Sequence, residues 1–335
     1  MTTAHTVQSC RYSRWDGQLS RSRWTWLMIV CIGVRLAAKR SRTRGLVIAG
    51  GLLVLGSCGM FYALSLLETL VGTSQARGLY DFIRVMLGVD VSGVARLEEL
   101  RGLLWRCVFL LAVHIQMFWV VLMVAQAGPG VIANDLKARA LPIYFAKPVT
   151  PLTYLVGKWM TVVVFIAMVT LIPNLASLLL GTWMTGGPGT WGEFLVLAGD
   201  LLVSGLGLCV VAGAIVIALS SLTSDRRYVT GAWLAICVLL VAAQAVVRDA
   251  LPADSVRGFL GCISLKDNVL VLTEWLFGMR EAWETAALPS EAFIRAPLSE
   301  GSPGCAAVVL AGWTVGALLL CYRQVVRFSR SAANV

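Results

Sequence analysis

The stretch LLVSGLGLCVVAGAIVIALSSLTS, Leu201 to Ser224, runs for 24 residues without an acidic, basic or histidine side chain. At about 1.5 Å per residue a helix over it would be about 36 Å long, more than the roughly 30 Å of a hydrocarbon core. Its Gly-Leu-Gly-Leu segment, Gly205 to Leu208, is not a nucleotide fingerprint. Inside a span, small residues let neighbouring helices approach closely. On either side of it, five more charge-free runs are long enough to cross: Leu46 to Leu67, Cys107 to Asn134, Trp159 to Gly192, Tyr228 to Val247 and Gly301 to Tyr322. Two are longer than one crossing needs. The run from Trp159 ends in MTGGPGTWG, Met184 to Gly192, and that from Cys107 reaches Gly128-Pro129-Gly130. Gly and Pro cannot continue a helix there, so those spans are expected to finish near Gly181 and Gly128.

Composition agrees with this count. The 335 residues are 58% hydrophobic and 14% charged, against about 25% charged in a soluble domain. The mean hydropathy is +0.79. The expected fold is an all-α, polytopic transmembrane helical bundle of about six spans forming one domain, 46–327. The spans are placed at about 46–67, 105–128, 158–181, 197–220, 229–247 and 304–323, with an outer segment at 248–303 and a terminal tail at 328–335. The apolar run Trp26 to Val34 lies between Arg23 and Arg35 and is too short to cross. Basic residues continue through Lys39, Arg40, Arg42 and Arg44, where a signal peptide would present a small-residue cleavage site. A helix lying in the interface over 24–44 is the preferred reading, with Trp24 and Trp26 at headgroup depth and the basic end toward anionic lipid. Residues 1–23, rich in Arg and Ser, are expected to be a disordered tail.

With a cytoplasmic amino terminus, residues 1–45, 129–158, 221–229 and 323–335 face inward and hold 18 of the 28 Lys and Arg. The outer loops are longer and less basic, so both termini are expected to be cytoplasmic. The net charge of +10 is then a topology signal and not a nucleic-acid footprint. The nine cysteines are scattered singly, and most read as small apolar packing residues. Cys262 and Cys305 are the pair placed on or near the outer side, where a disulfide could form.

Chemistry needs a constellation, and none is visible. The two histidines, His5 and His114, stand apart, and neither a zinc-protease helix motif, a nucleophile elbow nor a phosphate-binding loop occurs. No catalytic residue, metal or cofactor is expected on this chain. His114, Gln116, Asn174, Asp200 and Gln244 fall within the spans, where a polar side chain either lines a pathway or joins helices by hydrogen bonds. Asp200 is expected near the outer interface. Pro173 is expected to kink the third span, with Asn174 available to the freed carbonyl.

The most informative stretch is GPGVIANDLKARALPIYFAKPVTPLTYLVGKW, Gly128 to Trp159. Asn134 or Asp135 can cap a short helix in which Asp135 and Arg139 are four apart and can pair, with Leu136, Ala140 and Ile143 on one apolar face. Thr150-Pro151 then caps and opens a second helix running through Tyr154, Gly157 and Lys158 into the third span. Such a short amphipathic helix suits docking into a groove of a soluble partner, or is an ordinary solvated loop.

This stretch resembles the coupling region of ABC-2 type ABC transporter permeases. The matching residues are Asp135 at the end of the second span, Arg139 to Tyr144 as the short helix, the Lys147-Pro148 break, and Tyr154 to Lys158 leading into the third span. Pro151 stands where a Ser-Arg pair is common. The resemblance implies a permease subunit whose segment 129–157, through Asp135, Leu136, Arg139, Ile143, Tyr144, Lys147, Pro148, Tyr154, Gly157 and Lys158, contacts a separate ABC ATPase subunit that binds ATP and Mg. It also implies a second permease copy, identical or related, in a bacterial inner membrane. The other readings are a membrane-embedded enzyme using His114 or Asp200, and a structural membrane subunit of an envelope complex.

The topology can be checked directly. In a Cys-free version, a cysteine at position 137 should be protected from an impermeant maleimide in intact cells and one at position 254 should react; the reverse pattern inverts the orientation.

Overall fold

The computed structural model describes residues 24–70, 73, 76–87, 97–145, 149–250, 262–285 and 301–333. The tail 1–23, Lys147, Pro148, residues 251–261 and 286–300 of the outer segment, and residues 334–335 lie outside the described residues. Every regular element among the described residues is helical: α1 (Thr25–Ala38), α2 (Ser41–Leu70), α3 (Ala76–Leu87), α4 (Leu97–Ala127), α5 (Gly130–Lys137), α6 (Leu141–Phe145), α7 (Pro151–Val169), α8 (Leu171–Thr185), α9 (Trp191–Leu222), α10 (Arg226–Ala250), α11 (Leu265–Leu276), α12 (Met279–Thr285) and α13 (Pro303–Ala333). Six stretches are long and apolar enough to cross a membrane: Ser41–Leu70, Leu100–Lys137, Pro151–Thr185, Trp191–Leu222, Arg226–Val247 and Pro303–Phe328.

Burial ranks these helices. The most apolar window of α9 is 67% buried, whereas those of α10 and α13 are 17% buried. The stretch around Leu201 to Ser224 is therefore the axis of the bundle, packed against α5, α7, α8, α10 and α13. The peripheral helices turn apolar side chains outward, among them Val238, Leu239 and Val246 of α10 and Val308, Val315 and Leu319 of α13. In lipid that outward apolarity carries no penalty, because acyl chains are as apolar as leucine.

Helix boundaries depart from the hydropathy reading wherever charge and hydrogen bonding disagree. The region 24–44 is two elements: α1 ends at Ala38, and Arg42 and Arg44 already belong to the first turns of α2. A charge ends an apolar run but not a helix, since long basic side chains reach water from a helical backbone. The third span continues past Gly181 to Thr185, where Gly186 closes it at φ +79°. Gly181 is a packing residue instead: a Cβ there would come within 2.6 Å of the Phe61 ring, which stacks on Trp105 at 4.1 Å between centroids. The same span is broken at Thr170, φ −121° and ψ −71°. Pro173 offers no N–H to the Val169 carbonyl and its ring crowds that oxygen, so the break falls one turn earlier than the proline itself.

Asn174 does not serve that freed carbonyl. It forms a reciprocal amide pair with Gln116 of α4, Gln116 Nε2 donating to Asn174 Oδ1 at 2.7 Å and Asn174 Nδ2 to Gln116 Oε1 at 3.0 Å. Both side chains are buried. The pair joins α4 to α8 and commits each residue's carbonyl to the other, which favours the structural reading of both over the pathway reading.

The pairing makes a measurable demand. Asn174→Ala strands the buried Gln116 amide and should destabilise the detergent-solubilised protein by about 1 kcal/mol. Replacing both residues with Leu should cost less than the single change; equal or larger loss in the double variant would refute a purely structural role.

Candidate functional site

At the end of the bundle where α2 begins and α4 ends, the chain leaves the spans through two short helices, α5 and α6. The α4 to α5 junction at Gly128-Pro129 is close-packed, since a Cβ on Gly128 would lie 2.5 Å from Val216 of α9. Pro129 provides no side-chain cap for α5. The orphan amides at the start of α5 are met by Ser220 of α9: its Oγ accepts from Ile132 N at 3.0 Å and Ala133 N at 2.9 Å and donates to Pro129 O at 2.8 Å. A hydroxyl has one proton and two lone pairs, and all are used in a site with no exposure. Asn134 and Asp135 thus lie within α5 and near its end, not at its cap.

The single amphipathic helix expected over 134–143 is two helices. Ala138 ends α5 and Arg139 adopts φ +50°. Arg139 N donates to Leu136 O at 3.1 Å and Ala140 N to Asp135 O at 2.9 Å, the doubled closure of a Schellman motif with arginine in the left-handed position that glycine usually fills. The turn rotates α6 relative to α5, so Leu136 and Ile143 do not share a face. Leu136 of α5 packs, half-buried, against the core, while Ile143 is 65% exposed. Lys137 and Arg139 are exposed as well.

Asp135 does not pair with Arg139. Its Oδ2 accepts from the Tyr154 hydroxyl at 2.7 Å and from Lys158 Nζ at 2.7 Å, and the ammonium also lies 5.5 Å from the centre of the Tyr154 ring. Tyr154 is buried, with the rings of Tyr144 and Phe145 about it at 5.9 and 6.0 Å. Burial, then the negative charge of Asp135, raises the Tyr144 phenol above its ordinary pKa. The α7 end of this cluster is set by Thr150, whose Oγ1 accepts from Thr153 N at 3.2 Å, with Pro151 in the first helical position. Gly157 does not join the cluster. A Cβ there would meet Ile29 Cβ at 2.8 Å and Trp26 O at 3.1 Å, so it is where α1 crosses α7.

The remaining polar candidates are dispersed. Gln244 is buried and its Oε1 accepts from Ser264 N at 3.3 Å, tying α10 to the start of α11. His114 is on the outside of α4 with Nδ1 2.8 Å from Leu110 O. It borders a mainly apolar cavity of about 540 Å³ shared with Trp233 and Lys266. Asp200 lies well inside α9, not at its start. Sequence reasoning missed Ser220 and Arg226, whose guanidinium donates to Gln126 O at 2.7 Å near the end of α4. A serine in an apolar run reads as a packing residue, and nothing local to it reports two amides from another helix.

Fold and site together define a multi-pass membrane protein with a cap of short helices bonded into its third span. The chain belongs to the ABC-2 family of transporter proteins: the sequence model described as ABC-2 family transporter protein matches residues 18–333, nearly the whole chain. It is thereby a membrane component of a transporter. No curated protein matches it.

The Asp135 cluster can be tested by stability. Asp135→Ala removes two hydrogen bonds to a half-buried carboxylate and leaves Lys158 uncompensated, an expected loss of about 1–3 kcal/mol. Tyr154→Phe should cost less. A denaturation midpoint for Asp135→Ala equal to that of the native chain would contradict the geometry.

Proposed function

We propose that this chain is the permease subunit of an ABC-2 type transporter, exporting its substrate across a bacterial inner membrane on the energy of ATP hydrolysed, with Mg, by a separate ABC ATPase subunit. Two permease copies, identical or related, pair with two ATPase chains, and both permease termini are cytoplasmic. Family membership supports the permease role. The observation that carries the coupling role is the bonding of Asp135 to Tyr154 and Lys158.

That contact supplies what a transmission element requires. The α5 to α6 segment offers exposed Ile143, Tyr144, Lys137 and Arg139 to a partner. It is anchored on α9 by Ser220 and on α7 by Asp135, while α6 rests against α13. A push on α6 from a closing ATPase dimer therefore reaches α7 through a charge-assisted hydrogen bond and through packed rings, without an intervening flexible joint in α5. Rigid-body tilting of α7, with α1 seated on it at Gly157, is the expected motion. The apolar Ile143, beside an aromatic and two cations, has the composition of an interface anchor with a polar rim.

Ile143→Asp tests this reading with a residue that supports no part of the interior. Loss of an anchor of about 2 kcal/mol lowers affinity about thirtyfold. The variant should reach the membrane at normal level yet lose copurifying ATPase and transport, whereas Lys137→Ala should change little. Retention of the ATPase at native stoichiometry by Ile143→Asp would remove α6 from the interface.

A further inference from the structure

At the end of the bundle away from α5 and α6, the amphipathic helix α3 packs against α2 and α4. Its side chains form three edges, each spaced three and four residues apart and so continuous along one helix. The first is Ala76, Tyr80, Ile83 and Leu87. Ala76 and Ile83 have no exposure, and Tyr80 and Leu87 pack, half-buried, against the cluster that holds Leu67, Leu100 and Leu104. The second edge is charged: Arg77, Asp81 and Arg84, all exposed. The third is Phe82, Val85 and Met86, apolar yet 42%, 65% and 42% exposed. One edge serves the protein and one suits water, while the last is an apolar surface that no described residue covers.

The height of α3 indicates what covers it. Its buried edge rests on the cluster containing Leu67, the last residue of the apolar run of α2, and the next residue, Glu68, is held by Arg101. The same guanidinium meets the end of α8 at Thr185 O, so three spans begin or end at this level. That is the boundary between hydrocarbon and water, where an amphipathic helix lies in the membrane plane with its apolar side chains sunk about 5–10 Å. The apolar edge also extends the outward surface of α2, on which Leu52, Leu55 and Tyr62 are exposed. A second protein is a poorer match, since three partly exposed side chains offer far less than the roughly 800 Å² per partner of a stable interface.

We propose that α3 is an interfacial helix whose Phe82, Val85 and Met86 insert among the lipid acyl chains of the leaflet at this end of the bundle, with Arg77 and Asp81 held toward water. Rotation of α3 about its axis would lift the apolar edge into water or sink the charged one. The bilayer thereby fixes the depth of the junction between the first two spans, independently of any partner at the α5 and α6 end.

The test places one nitroxide at a time, on Arg77→Cys, Asp81→Cys, Phe82→Cys, Val85→Cys or Met86→Cys in an otherwise Cys-free full chain, in vesicles of phosphatidylcholine and phosphatidylglycerol. Collision with oxygen relative to a water-soluble nickel chelate should be several-fold higher at 82, 85 and 86 than at 77 and 81. Equal access of the chelate to all five positions would show the apolar edge to be solvated and overturn the proposal. Exclusion of both reagents from 82, 85 and 86 would overturn it in favour of cover by protein, a second copy included. The unmodified chain provides an independent readout. Irradiated in vesicles containing phosphatidylcholine with a diazirine on its acyl chain, it should carry lipid adducts at Phe82, Val85 or Met86 and none at Arg77 or Asp81. Adducts on the outward residues of α10 with none on α3 would refute the insertion.

Discussion

A backbone N–H or C=O without a partner costs several kcal/mol in hydrocarbon, where no water can replace it. An unbroken helix satisfies these groups internally, and the need returns wherever a helix stops. This chain stops its helices repeatedly, at Ala127, Val169, Thr185 and Leu276 among others. At three of these ends an arginine from a distant part of the chain supplies the missing donor. Arg226 donates to Gln126 O, Arg101 to Thr185 O at 2.8 Å, and Arg106 to Phe277 O at 2.7 Å. A cation at a helix C-terminus also opposes the partial negative charge accumulated there.

Those bonds set the architecture at both ends. Arg101 additionally pairs with Glu68 of α2 at 3.0 Å, so one guanidinium ties the ends of α2 and α8 to the start of α4. Arg106 ties α4 to the end of α11. Arg226 joins the start of α10 to the last turn of α4, and Trp233 Nε1 donates to Val121 O of the same helix at 3.1 Å. Ser220 does the equivalent for α5 using a neutral hydroxyl. The polar side chains of the spans thus serve largely helix ends and one amide pair, and the middle of the bundle is packed by apolar and small side chains.

The arrangement of the α5 segment follows from the same constraint. Because α5 is held through its backbone by Ser220, its one carboxylate is left to point at α7, and Asp135 meets two donors four residues apart on a single helix face, Tyr154 and Lys158. This spacing is what a helical α7 provides. A segment fixed in this way is held rigidly to α7 and α9, as a loop of the same composition would not be.

The number of spans, the all-helical class, the Thr150-Pro151 helix start and the interest of Gly128 to Trp159 were legible in the sequence, because each is a local property of apolar length, capping chemistry or motif. The ends of the helices were not, since charges such as Arg42 and Arg44 end an apolar run without ending a helix, and the span expected to finish near Gly181 runs on to Thr185, with Gly181 admitting the Phe61 ring. The division of α5 from α6 was hidden because the left-handed position holds Arg139, with no glycine to announce the turn. Whether Asp135 would find Arg139 or Lys158, whether Asn174 would serve its own backbone or Gln116, and which carbonyls the arginines would reach were decided by tertiary structure alone. Each is a competition between a near partner and a distant one, and only the packing of helices far apart in sequence sets the distance on which the outcome depends.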